Sequence, residues 1–240
     1  MDEAIYDALF AVEERHWWFR GRRAVIEALF AHVRGERNGA SFLDIGCGSG
    51  RNLQEFAHGP AVGTEFAADA VEVARRRGVD CRLADAEQLP FGDGEFQIVS
   101  AFDVIEHVAD DHAAFAEAHR VAAPGASMVV TVPAYQWLWS QHDETHGHRR
   151  RYTRPALLTV AEKAGWRKRF ATYFNSLLLP PIALVRAFRR GGGASSTDYA
   201  LTSNRLNKVL AVPMQVEAKL IRQGVRLPAG VSVGAVFERD

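Results

Sequence analysis

The spacing of apolar residues divides the chain into a helical opening, a long alternating middle and a mixed C-terminal part. Ile5, Leu9, Phe10, Val12, Trp17, Val25, Ile26 and Leu29 recur at helical spacing, which predicts helix over 2–33 with a break at Gly21 and an end at Gly35. From residue 41, short apolar runs alternate with amphipathic ones. Strands are predicted over 41–45, 61–65, 79–84, 96–101 and 127–132, and helices over 52–57, 68–77 and 110–121. A helix over 155–164 and strands over 166–173 and 231–237 follow. Between those last strands, 174–230 reads as an insertion. It holds an apolar helical stretch, a Gly191-Gly192-Gly193 loop with Ser195 and Ser196, and a second amphipathic stretch over 206–220.

Strands alternating with helices imply a mostly parallel sheet covered on both faces. Right-handed crossovers bring the strand C-termini to one edge, where ligands of such sheets bind. The expected fold class is α/β: a Rossmann-like, seven-stranded, mostly parallel sheet in a single domain. Residues 1–36 form an N-terminal helical cap, 41–173 and 231–238 the core, and 174–230 a helical insertion before the last strand.

Composition narrows the class little. With 240 residues, 48% hydrophobic and 24% charged, the chain suits a globular protein with a large core. No signal peptide or transmembrane segment is expected. The longest apolar run, 177–185, is interrupted by Pro180-Pro181 and falls short of the roughly 20 residues a span needs. Cys47 and Cys81 make neither a disulfide framework nor a metal cluster, which points to the cytoplasm. Net charge is zero but uneven: residues 1–147 carry 24 Asp/Glu against 12 Lys/Arg, and 148–190 carry one against 11. The basic segment either meets an anionic partner or packs on the acidic part of the same molecule.

Candidate chemistry gathers at three successive strand ends. Gly46-Cys47-Gly48-Ser49-Gly50 follows the first strand and opens a helix, letting backbone N–H groups approach a ligand. Arg51 breaks the third glycine of the dinucleotide pattern, which serves a pyrophosphate. Glu65 ends the second strand, at the usual distance for a ribose-binding acid. Asp85 ends the third, beside Ala86, where a carboxylate can accept from an adenine amino group between apolar walls.

Phe42 to Asn52, reading Phe-Leu-Asp-Ile-Gly-Cys-Gly-Ser-Gly-Arg-Asn, resembles motif I of class I S-adenosylmethionine (SAM)-dependent methyltransferases. Ala84 to Phe91 resembles their adenine-binding turn, and Phe96 to Val108, with Phe102-Asp103-Val104-Ile105-Glu106-His107, resembles the type 11 branch that includes quinone methylases. Val121 to Ala126 resembles the turn before their fifth strand. The resemblance covers roughly 41–135. It implies SAM as cofactor, the methionine tail beside motif I, ribose on Glu65, and a seventh strand running antiparallel between five and six. The cofactor set it implies is Asp44, Gly46, Cys47, Gly48, Gly50, Glu65, Phe66, Asp85, Ala86, Phe102 and Asp103, with Trp18 and Arg20 reaching from the N-terminal lid.

The acceptor side is expected on the same edge. His107 is a candidate base, and the loop after strand five supplies Tyr135, Trp139, His142, Arg150 and Tyr152, with His142 the first choice of general base. The spacing of His142, Asp143, His146 and His148 suggests a metal, but one loop must then supply every ligand, so no metal is expected. The expected reaction is direct in-line methyl transfer to a small-molecule acceptor, O- or N-methylation, with Arg149-Arg150-Arg151 favouring an acidic or phosphorylated one. An RNA methyltransferase and a non-catalytic SAM-binding interaction protein are the alternatives. Nucleic acid is not an expected partner at a sequence pI near 7.1. A monomer or homodimer is expected. The Leu177 to Arg190 stretch leaves peripheral membrane contact open against a lid or dimer role.

Overall fold

The computed structural model describes residues 10–181, 184 and 204–240. Its seven strands are β1 (Phe42–Ile45), β2 (Ala61–Glu65), β3 (Cys81–Leu83), β4 (Phe96–Phe102), β5 (Ala122–Pro133), β6 (Arg167–Phe174) and β7 (Ser232–Glu238). They form one sheet in the order β3-β2-β1-β4-β5-β7-β6. β1 to β5 are mutually parallel, and β7 runs antiparallel to both neighbours, β5 and β6. The order reverses between β1 and β4, so the crevice for a ligand opens at their carboxyl ends.

Several of the covering helices carry a local reason to form. α1 (Trp17–Phe30) starts at His16, whose extended backbone and ring nitrogen cap the Trp18 N–H. α2 (Arg51–Phe56) and α3 (Ala68–Arg76) follow β1 and β2. α4 (Asp111–Val121) is capped by Asp110, which accepts from the Ala113 N–H at 3.0 Å. α5 (Gln141–Thr145) is a short turn with a capping box between Ser140 and Asp143. α6 (Arg154–Lys163) has Thr153 at its N-cap and Pro155 in its first turn. α7 (Asn204–Arg222) contains Pro213.

Two apolar clusters sandwich the sheet. One joins Leu43, Val99, Met128 and Phe237 to Phe115 and Trp166, and the Trp166 indole N–H donates to the Phe115 carbonyl at 3.0 Å. The other joins Phe42, Phe56 and Phe102 to Ile26, Leu29 and Phe30 of α1 and Met214 and Ile221 of α7.

The N-terminal helix departs from its expected limits. The break falls at His16, after a separate helical turn over 10–15, and Gly21 lies buried inside α1. A Cβ there would sit 2.7 Å from Met214 Sδ and 2.9 Å from Met214 Cβ, so this glycine serves the close approach of α7. Asn207 Oδ1 accepts from the Trp17 N–H at 2.9 Å, and Glu217 accepts the backbone N–H groups of Asn175, Ser176 and Leu177 at the end of β6. Cap and insertion thus pack as one layer. The third strand is shorter than expected and the fifth longer. The Gly191-Gly192-Gly193 loop and most of the stretch from Leu177 to Arg190 lie outside the described residues. Among the described residues no helix is long and apolar enough to cross a membrane.

Candidate active site

The glycine turn leaves β1 at the reversal point of the sheet. Gly46, Gly48 and Gly50 have φ of 65°, 54° and 76°. A Cβ on Gly46 would strike Val104 at 2.4 Å, so packing alone forbids a side chain there. A Cβ on Gly48 would meet nothing within 4 Å, so this residue faces open space and a ligand can come close to its backbone. The turn lines a cleft of about 170 Å³ together with Phe19, Arg22 and Arg23 of α1 and Phe102 of β4.

Four carboxylates stand in or just after β1 to β4 on the side of the glycine turn. Glu65 accepts from the Gly48 N–H at 3.0 Å and the Phe66 N–H at 2.9 Å, which fixes its head while leaving acceptor capacity. Asp44 is buried. Its Oδ1 accepts from Ser100 Oγ at 2.6 Å and its Oδ2 has no partner. Burial pushes the Asp44 carboxyl up to about 7, against the lowering effect of the Ser100 hydrogen bond. Asp103, at φ 58°, pairs with Arg22 at 2.8 Å and accepts from Thr131 Oγ1 at 3.2 Å. Asp85 caps its own turn by accepting from the Glu87 N–H at 2.9 Å, next to Ala86. Phe66 is 75% exposed and Leu83 57% exposed, two bare apolar side chains at the ends of β2 and β3.

The lid contributes other residues than expected. Arg20 is exposed and Trp18 packs against the apolar cluster behind α1. Arg22 lines the cleft instead, and its Nε is buried without a partner. The signal was present, because Phe19, Arg22 and Arg23 stand at i, i+3 and i+4 on one helix face. The preceding turn latches onto the glycine turn: Glu13 accepts from Ser49 Oγ at 2.6 Å and pairs with Arg77 at 2.7 Å, and Glu14 pairs with Arg51. Beneath the turn, Cys47 Sγ and Cys81 Sγ lie 3.4 Å apart, a neighbourhood their separation in sequence did not reveal.

The loop after β5 folds back on the end of β4. Arg149 donates its N–H to the Glu106 carbonyl at 2.8 Å and its Nε to the His107 carbonyl at 3.0 Å. Arg150 pairs with Asp111 at 3.0 Å, and Arg151 is buried against Asp143 with Nε–Oδ1 at 2.7 Å and Nη2–Oδ2 at 3.0 Å. Arg150 and Arg151 are thus held by acids from the acidic part of the same molecule. The Tyr152 hydroxyl, buried, donates to Asp111 at 2.6 Å. Tyr135 stacks between Trp137 and Tyr173, and burial beside Tyr173 pushes its hydroxyl up to about 12. Trp139 is half-buried just before α5.

Four histidines converge here. The rings of His142 and His146 are 4.0 Å apart and those of His107 and His148 are 4.7 Å apart. Burial, with the neighbouring His148, lowers the His107 pKa. Glu106, absent from the expected set, is fully buried, and neither carboxylate oxygen has a hydrogen-bond partner.

The chain is similar to known proteins in sequence and in fold. Residues 43–130 match the family described as "Methyltransferase domain", type 11. The chain is 32% identical to a demethylmenaquinone methyltransferase of Renibacterium salmoninarum over 52% of its own length and 50% of the relative's. It is 30% identical to the probable tRNA methyltransferase 9B of Mus musculus over 45% of its length and 24% of the relative's. The chain therefore spans half or less of these curated relatives. In fold, it superposes with a TM-score of 0.63 on a Haloferax volcanii chain described as a methyltransferase in complex with the Trm112 activator, at 18% identity, covering 98% of this chain and 94% of that one.

Proposed function

For a chain whose residues 43–130 match the methyltransferase-domain family of type 11, we propose SAM-dependent methylation of a small-molecule acceptor. One observation carries this reading: the Gly48 turn, the Glu65 head and the orphaned Asp44 oxygen meet at the reversal point of the sheet. The residues fit the cofactor. Glu65 suits the ribose hydroxyls, Asp44 Oδ2 suits the ammonium of the methionine tail, and the unpaired Nε of Arg22 suits its carboxylate. Phe66, Leu83 and Ala86 suit the faces of the adenine, and Asp85 its amino group. When bound, SAM supplies a methyl group on a sulfonium already activated for direct displacement.

The protein's part is alignment and exclusion of water. The Arg22–Asp103 pair holds the edge of the cleft, and Phe19 and Phe102 wall it. For an acceptor that carries a proton, His142 is the group assigned to take it on a ring nitrogen, with His107 as second choice. Tyr135 and Trp139 supply apolar wall on the same edge.

Calorimetry with SAM and with its demethylated product S-adenosylhomocysteine tests the reading. Wild type binds both. Glu65→Ala weakens binding at least tenfold, and Gly48→Val abolishes it while the fold persists. Folded wild-type protein giving no heat with either compound overturns the proposal. For the acceptor, mass-spectrometric screening of small molecules runs beside low-salt filter binding of RNA. Methyl transfer to RNA alone refutes the small-molecule assignment.

A further inference from the structure

We propose that Glu106, His107 and His148 form a binding site for a divalent transition-metal ion. One carboxylate oxygen of Glu106 and one ring nitrogen from each histidine lie within 4.8 Å of one another. Ligands about 2.1 Å from a common tetrahedral centre stand roughly 3.4 Å apart, so each separation has to close by no more than about 1.4 Å.

Glu106 is the principal reason. It is 0% exposed, both its oxygens are unpartnered, and it shares its surroundings with the Asp103 carboxylate. A buried carboxyl without side-chain hydrogen-bond partners is costly; the Arg22 and Arg151 charges offset part of that cost, and an ion bound directly to the carboxylate would offset more.

The histidines are oriented as ligands. His148 donates from Nδ1 to Asp143 Oδ1 at 2.8 Å, which leaves Nε2 as its free nitrogen. This is the carboxylate–histidine–metal arrangement that fixes the ring and raises its basicity. Asp143 is itself locked by Arg151 and the Ser140 N–H. His107 stands beside the Gly147 backbone and offers one ring nitrogen to the set. His107 is exposed and His148 half-buried, so the ion has an entry path from solvent.

Two histidines and one carboxylate on one side of an ion suit Zn²⁺, Fe²⁺ or Co²⁺ and leave positions open for an oxygen ligand. The set draws on both the end of β4 and the loop after β5, so the objection that a single loop must supply every ligand does not apply. With the site filled, His107 is a ligand and not a base, which leaves proton removal to His142.

Co²⁺ titration of tag-free protein tests the site, read by visible absorption and equilibrium dialysis. One equivalent binds to wild type with d–d bands of low coordination number. Glu106→Gln, which keeps the shape of the buried side chain, and His148→Ala each weaken binding at least tenfold. Asp143→Asn, acting through His148, weakens it about 10- to 100-fold. His146→Ala, outside the set, leaves binding unchanged. Each variant is compared by its melting curve, and Co²⁺ raises the melting temperature of wild type but not of Glu106→Gln. No stoichiometric binding by wild type, or binding that survives both Glu106→Gln and His148→Ala, overturns the proposal. So does loss in His146→Ala with retention in Glu106→Gln.

Discussion

Asp143 is the hub of the loop after β5, and removing its carboxylate is expected to destabilise the whole protein. The group is 0% exposed and accepts five hydrogen bonds: from Arg151 Nε and Nη2, His148 Nδ1, and the Ser140 N–H and hydroxyl. Burial pushes its carboxyl up, but the hydrogen bonds from His148 and Arg151 and the Arg151 charge outweigh it and hold the group well below the carboxylate range. Asp143→Ala leaves the Arg151 guanidinium buried and unpaired, at a cost of about 3–5 kcal/mol. For a chain of this length each kcal/mol moves the melting temperature by about 2–4 °C, so the drop is about 6–20 °C. Replacing both partners, Asp143→Leu with Arg151→Met, recovers most of it, because the penalty belongs to the orphan. The sign with pH follows from a depressed pKa: the stabilisation is present above the unfolded value near 3.8 and is lost as pH falls below it. The wild-type advantage is therefore constant between about pH 5 and 8. Scanning calorimetry of the three proteins is the assay. A single-variant drop below about 3 °C, or a double variant no better than Asp143→Ala, refutes the reasoning.

Three further outcomes are expected. Arg22→Met weakens S-adenosylhomocysteine binding about 10- to 100-fold by calorimetry, whereas Arg20→Ala leaves it unchanged; the reverse ranking restores the sequence expectation. Gly21→Ala gains about 1 kcal/mol of helix propensity but meets Met214, which costs about 1–3 kcal/mol. It is thus no more stable than wild type in urea unfolding; a clear gain in stability counts against the close approach of Met214. Asp44 has a folded pKa raised to about 7, so the folded state binds the extra proton between about pH 4 and 7 and this group lowers stability as pH rises through that window. The stability of Asp44→Asn relative to wild type accordingly grows from about pH 5 to pH 8; an unchanged difference counts against an orphaned oxygen.

The elements that depend on local pattern were readable from sequence. The second strand matches residue for residue at 61–65, and the glycine turn and Glu65 fall on strand ends as the alternation required, while Asp85 lies two residues past the shortened third strand. What escaped is set by contacts between distant segments. Gly21 looks like a helix breaker until Met214, far along the chain, is placed against it. Arg20 and Arg22 are equivalent as letters, and only the facing of α1 onto β4 chooses Arg22. The basic run Arg149-Arg150-Arg151 suggested an anionic ligand, yet Asp111 and Asp143 already occupy two of its three members. Glu106 carried no signal of its own, since burial without partners is a property of three dimensions.

The insertion of β7 between β5 and β6 bears on how the chain tolerates change. Leaving from one strand and returning on its neighbour, residues 175–231 form a closed excursion whose two stems are zipped together in the sheet. Lengthening or shortening such a detour adds little closure entropy, since that cost grows only with the logarithm of loop length. The layer in which α7 packs on α1 is therefore open to rebuilding while the strands beneath it stay as they are.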